Sequence, residues 1–312
     1  MIRRLIKISP VVLTLLFIFV YLPLNCIYQL RLIPQHNLTA WIIAFSIAGS
    51  YTFCVYYTGA WGWFGKATRY ALPALLAILT VTTFPYTNSG ITASRLLDLQ
   101  PILSLIVAAI LMMFAVLTLI GRRLNIPAIE LSFPLHAGNY VIAQGGSSWI
   151  INFHALNQSE RYALDILKLN SIGIRARGLY PADPKRYAIF GTEVFSPCDG
   201  LVTAKEDGFE DLLPPDTDLD HPAGNYIGIA ISQATVYLAH LMKDSICVNV
   251  GEQVYKGQFL GCVGNSGNTS EPHLHIHAEE RTYPGNYSEN PGIPIRFNGR
   301  YLTRNDYIKV PV

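Results

Sequence analysis

Through its first 123 residues the chain carries only ten charged side chains, and these leave four uncharged stretches at 8–30, 32–65, 70–94 and 99–121. A membrane-spanning helix needs about 20 mostly apolar residues. The segments VVLTLLFIFVYLPL, WIIAFSIAGSYTFCVYY, YALPALLAILTVTTFPY and PILSLIVAAILMMFAVLTLIG supply four such centres, the third being the weakest because Pro73 and Pro85 stand near its ends. No small-x-small cleavage site follows the first, so it reads as a retained helix and not as a cleaved signal peptide. The expected fold of residues 1–123 is a multi-pass α-helical membrane region of about four helices, held in a lipid bilayer.

Charge divides the chain at the same place. Nine Lys/Arg and one Asp precede residue 124, leaving 14 basic and 20 acidic residues after it. A second half that is net negative excludes nucleic acid as a partner, since that function needs a basic footprint. For four spans with the N-terminus inside, seven basic residues (3, 4, 7, 66, 69, 122 and 123) fall inside and two (31 and 95) outside. The positive-inside rule then places the second half in the cytoplasm. The five cysteines include no C-x-x-C pair and read as small buried thiols.

From about residue 130 short apolar runs alternate with Gly, Pro, Asn and Asp, the pattern of an all-β domain. NYVIAQG, RYALDILKL, EVFSPCDGLVTAKE, NYIGIAIS, TVYLAHL and FLGCVGNSG each read as a strand or a strand with its turn. The acidic segment 206–224 reads as a solvated surface loop, because it lacks the D-x-D-x-D-G spacing of a calcium loop. GNSGNTSEP lacks the Lys-Ser/Thr of a phosphate cradle and leads into a strand.

Three of eight histidines stand in EPHLHIHAEE, at positions 273, 275 and 277. On a strand, alternate residues share a face, so these imidazoles stand together while Leu274, Ile276 and Ala278 turn to an apolar side. Neutral imidazole is the commonest metal ligand; a polar exposed strand face is the plainer alternative. A catalytic zinc takes three protein ligands and keeps one position open, and His154, Asp165 and His240 are the further candidates. In RYALDIL, Asp165 interrupts an otherwise apolar face, and a metal would offset the cost of burying that carboxylate. A turn-capping Asp and a satisfied core His are the plainer readings of these residues taken singly.

YLAHL, followed by VNVGEQVYKGQFLGCVGNSGNTSEPHLHIHAEE, resembles the lysostaphin/LytM-type zinc metallopeptidases. FPLHAGNYVIAQGG, NFH, RYALDI, SPCDGLV and PAGNYIGIAI match upstream in the expected order, and the resemblance covers about residues 130–290. It implies a lysostaphin-type β-sandwich (hybrid-motif) domain, zinc held by His154, Asp165 and His275, and catalytic roles for His240 and His273 in handling protons and stabilising the tetrahedral intermediate. Two departures stand out. His154 and Asp165 lie farther apart than is common in the family, which requires a turn or bulge through LNQSE, and His277 occupies a position often held by glutamate.

The expected organisation is a transmembrane region over 1–123, a peptidase domain over 124–295 and a C-terminal extension over 296–312. The resemblance implies a zinc endopeptidase of peptidoglycan, multi-pass in a bacterial membrane with its peptidase domain outside the cytoplasm, against the charge count. The alternatives are a non-catalytic wall-binding or regulatory domain and a peptidase of non-wall peptides. A biotinyl- or lipoyl-type carrier would use Lys256 and leave the His/Asp set without purpose.

Overall fold

The structure, a computed structural model, describes residues 10–32, 38–84, 99–281 and 290–311. Pro85 and the charged residues Arg3, Arg4, Lys7, Arg95 and Asp98 lie outside them. The chain forms two compact units, one taking residues up to 59 and from 67 to 116, the other taking 60–66 and everything from 117 onward.

The first unit is helical. Helices α1 (Pro10–Leu16) and α2 (Leu22–Leu32) are joined by a π-helical turn at Phe17–Tyr21, and α3 spans Leu38–Thr58. The short α4 (Trp61–Phe64), which belongs to the second unit, leads to α5 (Lys66–Thr83) and then α6 (Leu99–Gly121). Among the described residues, α3 and α6 are long and apolar enough to cross a membrane; α1–α2 contains a shorter apolar run, and α5 carries Pro73 within it. At about 1.5 Å per residue, the 21 residues of α3 reach about 30 Å, the thickness of a bilayer core. Leu103, Ile106, Val107, Ile110 and Met113 of α6 are exposed, as bilayer-facing side chains would be.

The second unit is β-rich. Its strands, in chain order, are β1 (Ile129–Leu131), β2 (Gly138–Gln144), β3 (Leu164–Leu169), β4 (Glu193–Phe195), β5 (Gly200–Glu206) and β6 (Asn225–Ala230). They continue with β7 (Ala234–Leu241), β8 (Gln253–Val254), β9 (Phe259–Cys262), β10 (Leu274–Glu280), β11 (Ile295–Phe297) and β12 (Tyr307–Val310). Eight form an antiparallel sheet in the order β12-β2-β3-β10-β7-β6-β5-β8, while β1 pairs with β11 and β4 with β9. Tyr307–Val310, in the segment set apart as an extension, closes one edge of this sheet against β2.

One face of the sheet builds the core. Ile142, Leu164, Ile166, Ile227, Val236, Leu238, Leu274 and Ile276 are fully buried in a single apolar cluster. Each such side chain contributes about 1.5–3 kcal/mol on leaving water. The other face carries a smaller cluster of Val141, Leu167 and Leu169. Gly62 lies so close to it that a Cβ there would meet Val141 Cγ1 at 3.2 Å.

Two expectations need correction. The cysteines are free, but Cys247 is exposed and the other four are half-buried. The 206–224 loop does more than solvate its charges: Asp211 Oδ1 accepts the Asn265 N–H at 2.6 Å, and Asp207 Oδ1 accepts the Asp244 N–H at 2.9 Å. Irregular backbone must find acceptors for its N–H groups, and these carboxylates supply them.

Candidate active site

The register of β10 against β3 sets His275 opposite Asp165, and that of β10 against β7 sets His275 opposite Ala239. Because Leu164, Ile166, Leu274 and Ile276 fill the core, period two turns Asp165 and His275 to the opposite face. His273 stands just before β10, and His240 sits near the end of β7.

His154 comes from a 3-10 turn, Phe153–Leu156. Asn152, fully buried, organises this turn. Its Oδ1 accepts the His154 N–H at 3.2 Å, and its Nδ2 donates to the carbonyls of Gly146 (2.9 Å), Arg161 (3.2 Å) and Ala163 (3.1 Å). These bonds close the excursion through LNQSE that the spacing of His154 and Asp165 requires. A bulge in β2 between Ile142 and Gln144 adds Gln144 opposite Asp165, and Gln144 Oε1 accepts the Phe153 N–H at 3.2 Å.

All five candidate residues converge. His154 Nε2 lies 3.0 Å from Asp165 Oδ1, His275 Nδ1 lies 3.1 Å from it, and His273 Nε2 3.5 Å. The His240 ring centroid is 4.7 Å from that of His273 and 5.7 Å from that of His275. His240 Nδ1–H donates to the Ser266 carbonyl at 2.9 Å, and His273 Nδ1–H to the Glu271 carbonyl at 2.8 Å, so that Nε2 of each ring is the nitrogen left to the site. His277 Nδ1 is 2.9 Å from His275 Nε2, and its ring stacks on Tyr237 at 5.0 Å. It thus touches the far side of the His275 ring and fixes its orientation.

His240 has a left-handed backbone, with φ of 61°. The β6–β7 register shifts between Asn225 and Ile227, so β7 carries an extra residue there, and a bulge of this kind re-aims a side chain. The His240 carbonyl accepts the Gly264 N–H at 3.0 Å. A Cβ at Gly264 would lie 2.4 Å from Met242 Cα. Gly264→Ala is therefore expected to cost about 1–3 kcal/mol by overpacking and to displace His240, read as a lowered melting temperature together with reduced activity.

Electrostatics set His154 apart from His275 and His240. Burial disfavours charge on Asp165, but His154 and His273 beside it hold its carboxyl well below the usual range. Burial also disfavours a cationic His154, yet Asp165 and then Glu160 outweigh it and raise its pKa to about 10. Burial pushes His275 down to about 4, and His240 well below its ordinary value. Glu160 Oε2 accepts His154 Nδ1–H at 3.2 Å, and that bond leads the lowering of Glu160 to about 2. The sequence reading missed Glu160; its signal was a carboxylate six residues after a candidate ligand.

The donor chemistry fits a metal ion. Among the described residues, His154 with Asp165 and His275, His240 with His273 and His275, and Glu160 with His275 and His277 each bring ligand atoms within 4.8 Å of one another. Tetrahedral zinc with ligands at 2.0–2.1 Å has edges of about 3.3 Å, close to the 3.0 and 3.1 Å separations of His154 and His275 from Asp165. Of the three groups, only the first combines two imidazoles with a buried carboxylate.

Residues 186–287 match the model of Peptidase family M23. The expected likeness to lysostaphin/LytM-type peptidases is borne out, and the M23 segment contains His240, His273 and His275, while His154 and Asp165 precede it. The peptidoglycan DD-endopeptidase ShyA of Vibrio cholerae is 30% identical over 146 residues, covering 46% of this chain and 32% of ShyA. The chain thus spans about a third of the curated relative it matches. Solved structures also align: the catalytic domain of the antimicrobial peptidase lysostaphin of Staphylococcus simulans at 20% identity covers 39% of this chain and 79% of its own, with a TM-score of 0.24. The deep-sea metalloprotease pseudoalterin, at 16% identity, covers 59% and 99%, with a TM-score of 0.34.

Proposed function

We propose that this chain is a membrane-anchored zinc endopeptidase that cuts peptide bonds in bacterial peptidoglycan. The observation that carries the reading is the convergence of His154 Nε2 and His275 Nδ1 on one oxygen of Asp165, with His240 and His273 beside them, each held through Nδ1 by a backbone carbonyl. His154, Asp165 and His275 are the proposed zinc ligands. A zinc ion there would polarise a scissile carbonyl and make water acidic enough to attack near neutral pH. His240 and His273 would take a proton from the attacking water and donate hydrogen bonds to the oxyanion as it forms. The 30% identity to a peptidoglycan DD-endopeptidase supports the wall as substrate.

For the anchor, we propose four spans: α1–α2, α3, α5 and α6. Residues 60–66 and the chain from 117 onward belong to one compact unit, so both would occupy one side of a bilayer. With α3 and α6 crossing, α5 must cross as well to connect them. The proposed side for the peptidase domain, over 124–295, is the wall side. One observation favours a second reading: the seven-to-two distribution of basic residues puts this domain in the cytoplasm, where the substrate would be a non-wall peptide.

Full-length protein in detergent, incubated with purified peptidoglycan, is expected to release soluble muropeptides with zinc and to stop when a chelator is added. No release by folded, zinc-loaded protein would overturn the wall reading, leaving a cytoplasmic peptidase or a non-catalytic wall-binding domain.

A further inference from the structure

The short segment between α3 and α5 lies outside the M23 match, yet it is packed into the β-rich unit. Trp61 in it is 2% exposed, and the Gly62 carbonyl accepts the Arg175 N–H at 2.9 Å. The Trp63 ring covers the Arg175 guanidinium, with Cζ 3.5 Å from the ring centroid, and stacks on Tyr180 at 5.2 Å. Arg175 is itself 2% exposed. A buried cation must find an anion and a polarisable face, and Arg175 has both.

Two routes lead from Trp63 to the loop before β10. Arg175 Nε donates to Glu271 Oε2 at 2.7 Å and Oε1 at 3.0 Å, and the Tyr180 hydroxyl donates to the Ser270 carbonyl at 2.9 Å. The Glu271 carbonyl accepts both the Thr269 hydroxyl at 2.7 Å and His273 Nδ1–H at 2.8 Å. Glu271 is thus held by its side chain while its backbone sets the tautomer and orientation of His273. We infer that Trp63 is a positioning residue for His273, acting through Arg175 and Glu271, so that the turn between two apolar helices is a working part of the peptidase site. This inference rests on the proposed peptidase function, in which His273 is catalytic. Its physical chain holds within the β-rich unit whether or not a substrate is known.

The test uses full-length protein in detergent, as wild type, Trp63→Ala, Trp63→Phe and Glu271→Gln. Trp63→Ala is expected to lower the apparent kcat on peptidoglycan about 10- to 100-fold, with unchanged KM and unchanged zinc per chain, because the proposed ligands are untouched. Trp63→Phe keeps a ring over Arg175 and is expected to restore most of the rate. With 15N-labelled histidine, the protonated Nδ1 signal of His273 should persist in wild type and Trp63→Phe, and weaken in Trp63→Ala and Glu271→Gln. An unchanged His273 signal and kcat in Trp63→Ala would overturn the inference. So would loss of zinc and of cooperative unfolding in both Trp63 variants, which would make the contact merely structural. If wild type itself hydrolyses no wall, the functional reading fails, and the His273 signal still decides the inference.

Discussion

Asp165→Ala is expected to strip the protein of zinc and with it of wall hydrolysis. Three imidazoles lie within 3.5 Å of this carboxylate, and among the described residues no other acid at the site is as buried. Its loss should therefore weaken zinc binding by more than the roughly 10- to 100-fold seen when a residue that only orients a ligand is removed. Equilibrium dialysis against zinc measures this, and normal hydrolysis by the variant would sink the ligand assignment. The same pair makes zinc uptake pH-linked. In the metal-free protein His154 is held near 10 and is cationic at pH 8, whereas His275, near 4, is already neutral. Zinc requires a neutral imidazole, so titration at pH 8 in buffers of different ionisation enthalpy should report about one proton released, from His154. Stability of the metal-free protein should peak near the unfolded histidine value of about 6.5. Above it, the share contributed by the raised His154 is lost as pH climbs to about 10. Below it, unfolded imidazoles gain protons that His275 and His240 resist, and stability falls as pH approaches 4. Urea midpoints across pH 4–10 would trace that maximum.

Much of this site was legible because strand periodicity is strict. The alternation through EPHLHIHAEE turned Leu274, Ile276 and Ala278 inward, and they are fully buried; Asp165, flanked by Leu164 and Ile166, had to face the other way. What escaped reading depends on contacts between segments distant in sequence. Asn152 matters through three carbonyls brought together by the fold, and an asparagine in INFH announces none of them. Arg175 and Glu271 meet across 96 positions, and Trp63 read simply as part of an apolar stretch. The backbone of His240 was also hidden, since a left-handed φ is usually announced by glycine and here a histidine holds it.

That backbone gives the second large prediction. His240→Ala is expected to keep zinc and lose about 10²–10⁴ of activity, the usual share of a positioned acid or base. Its Nδ1–H is tied to Ser266 and its ring is buried against His273 and His275, so nothing else can take its place beside them. At φ of 61° an L-residue carries about 1–2 kcal/mol of strain that glycine escapes. His240→Gly should then be as inactive as His240→Ala and yet more stable, by about 1 kcal/mol, in the same urea titration. Alanine and glycine share the loss of the imidazole and of its bond to Ser266, so their difference isolates the backbone. Equal stability would mean that the bulge in β7 accommodates the left-handed turn without cost. A glycine advantage would mean that hydrogen bonds from the His240 N–H to Ala223 and from Gly264 N–H to the His240 carbonyl hold the backbone against its preference, fixing the imidazole where the proposed chemistry needs it.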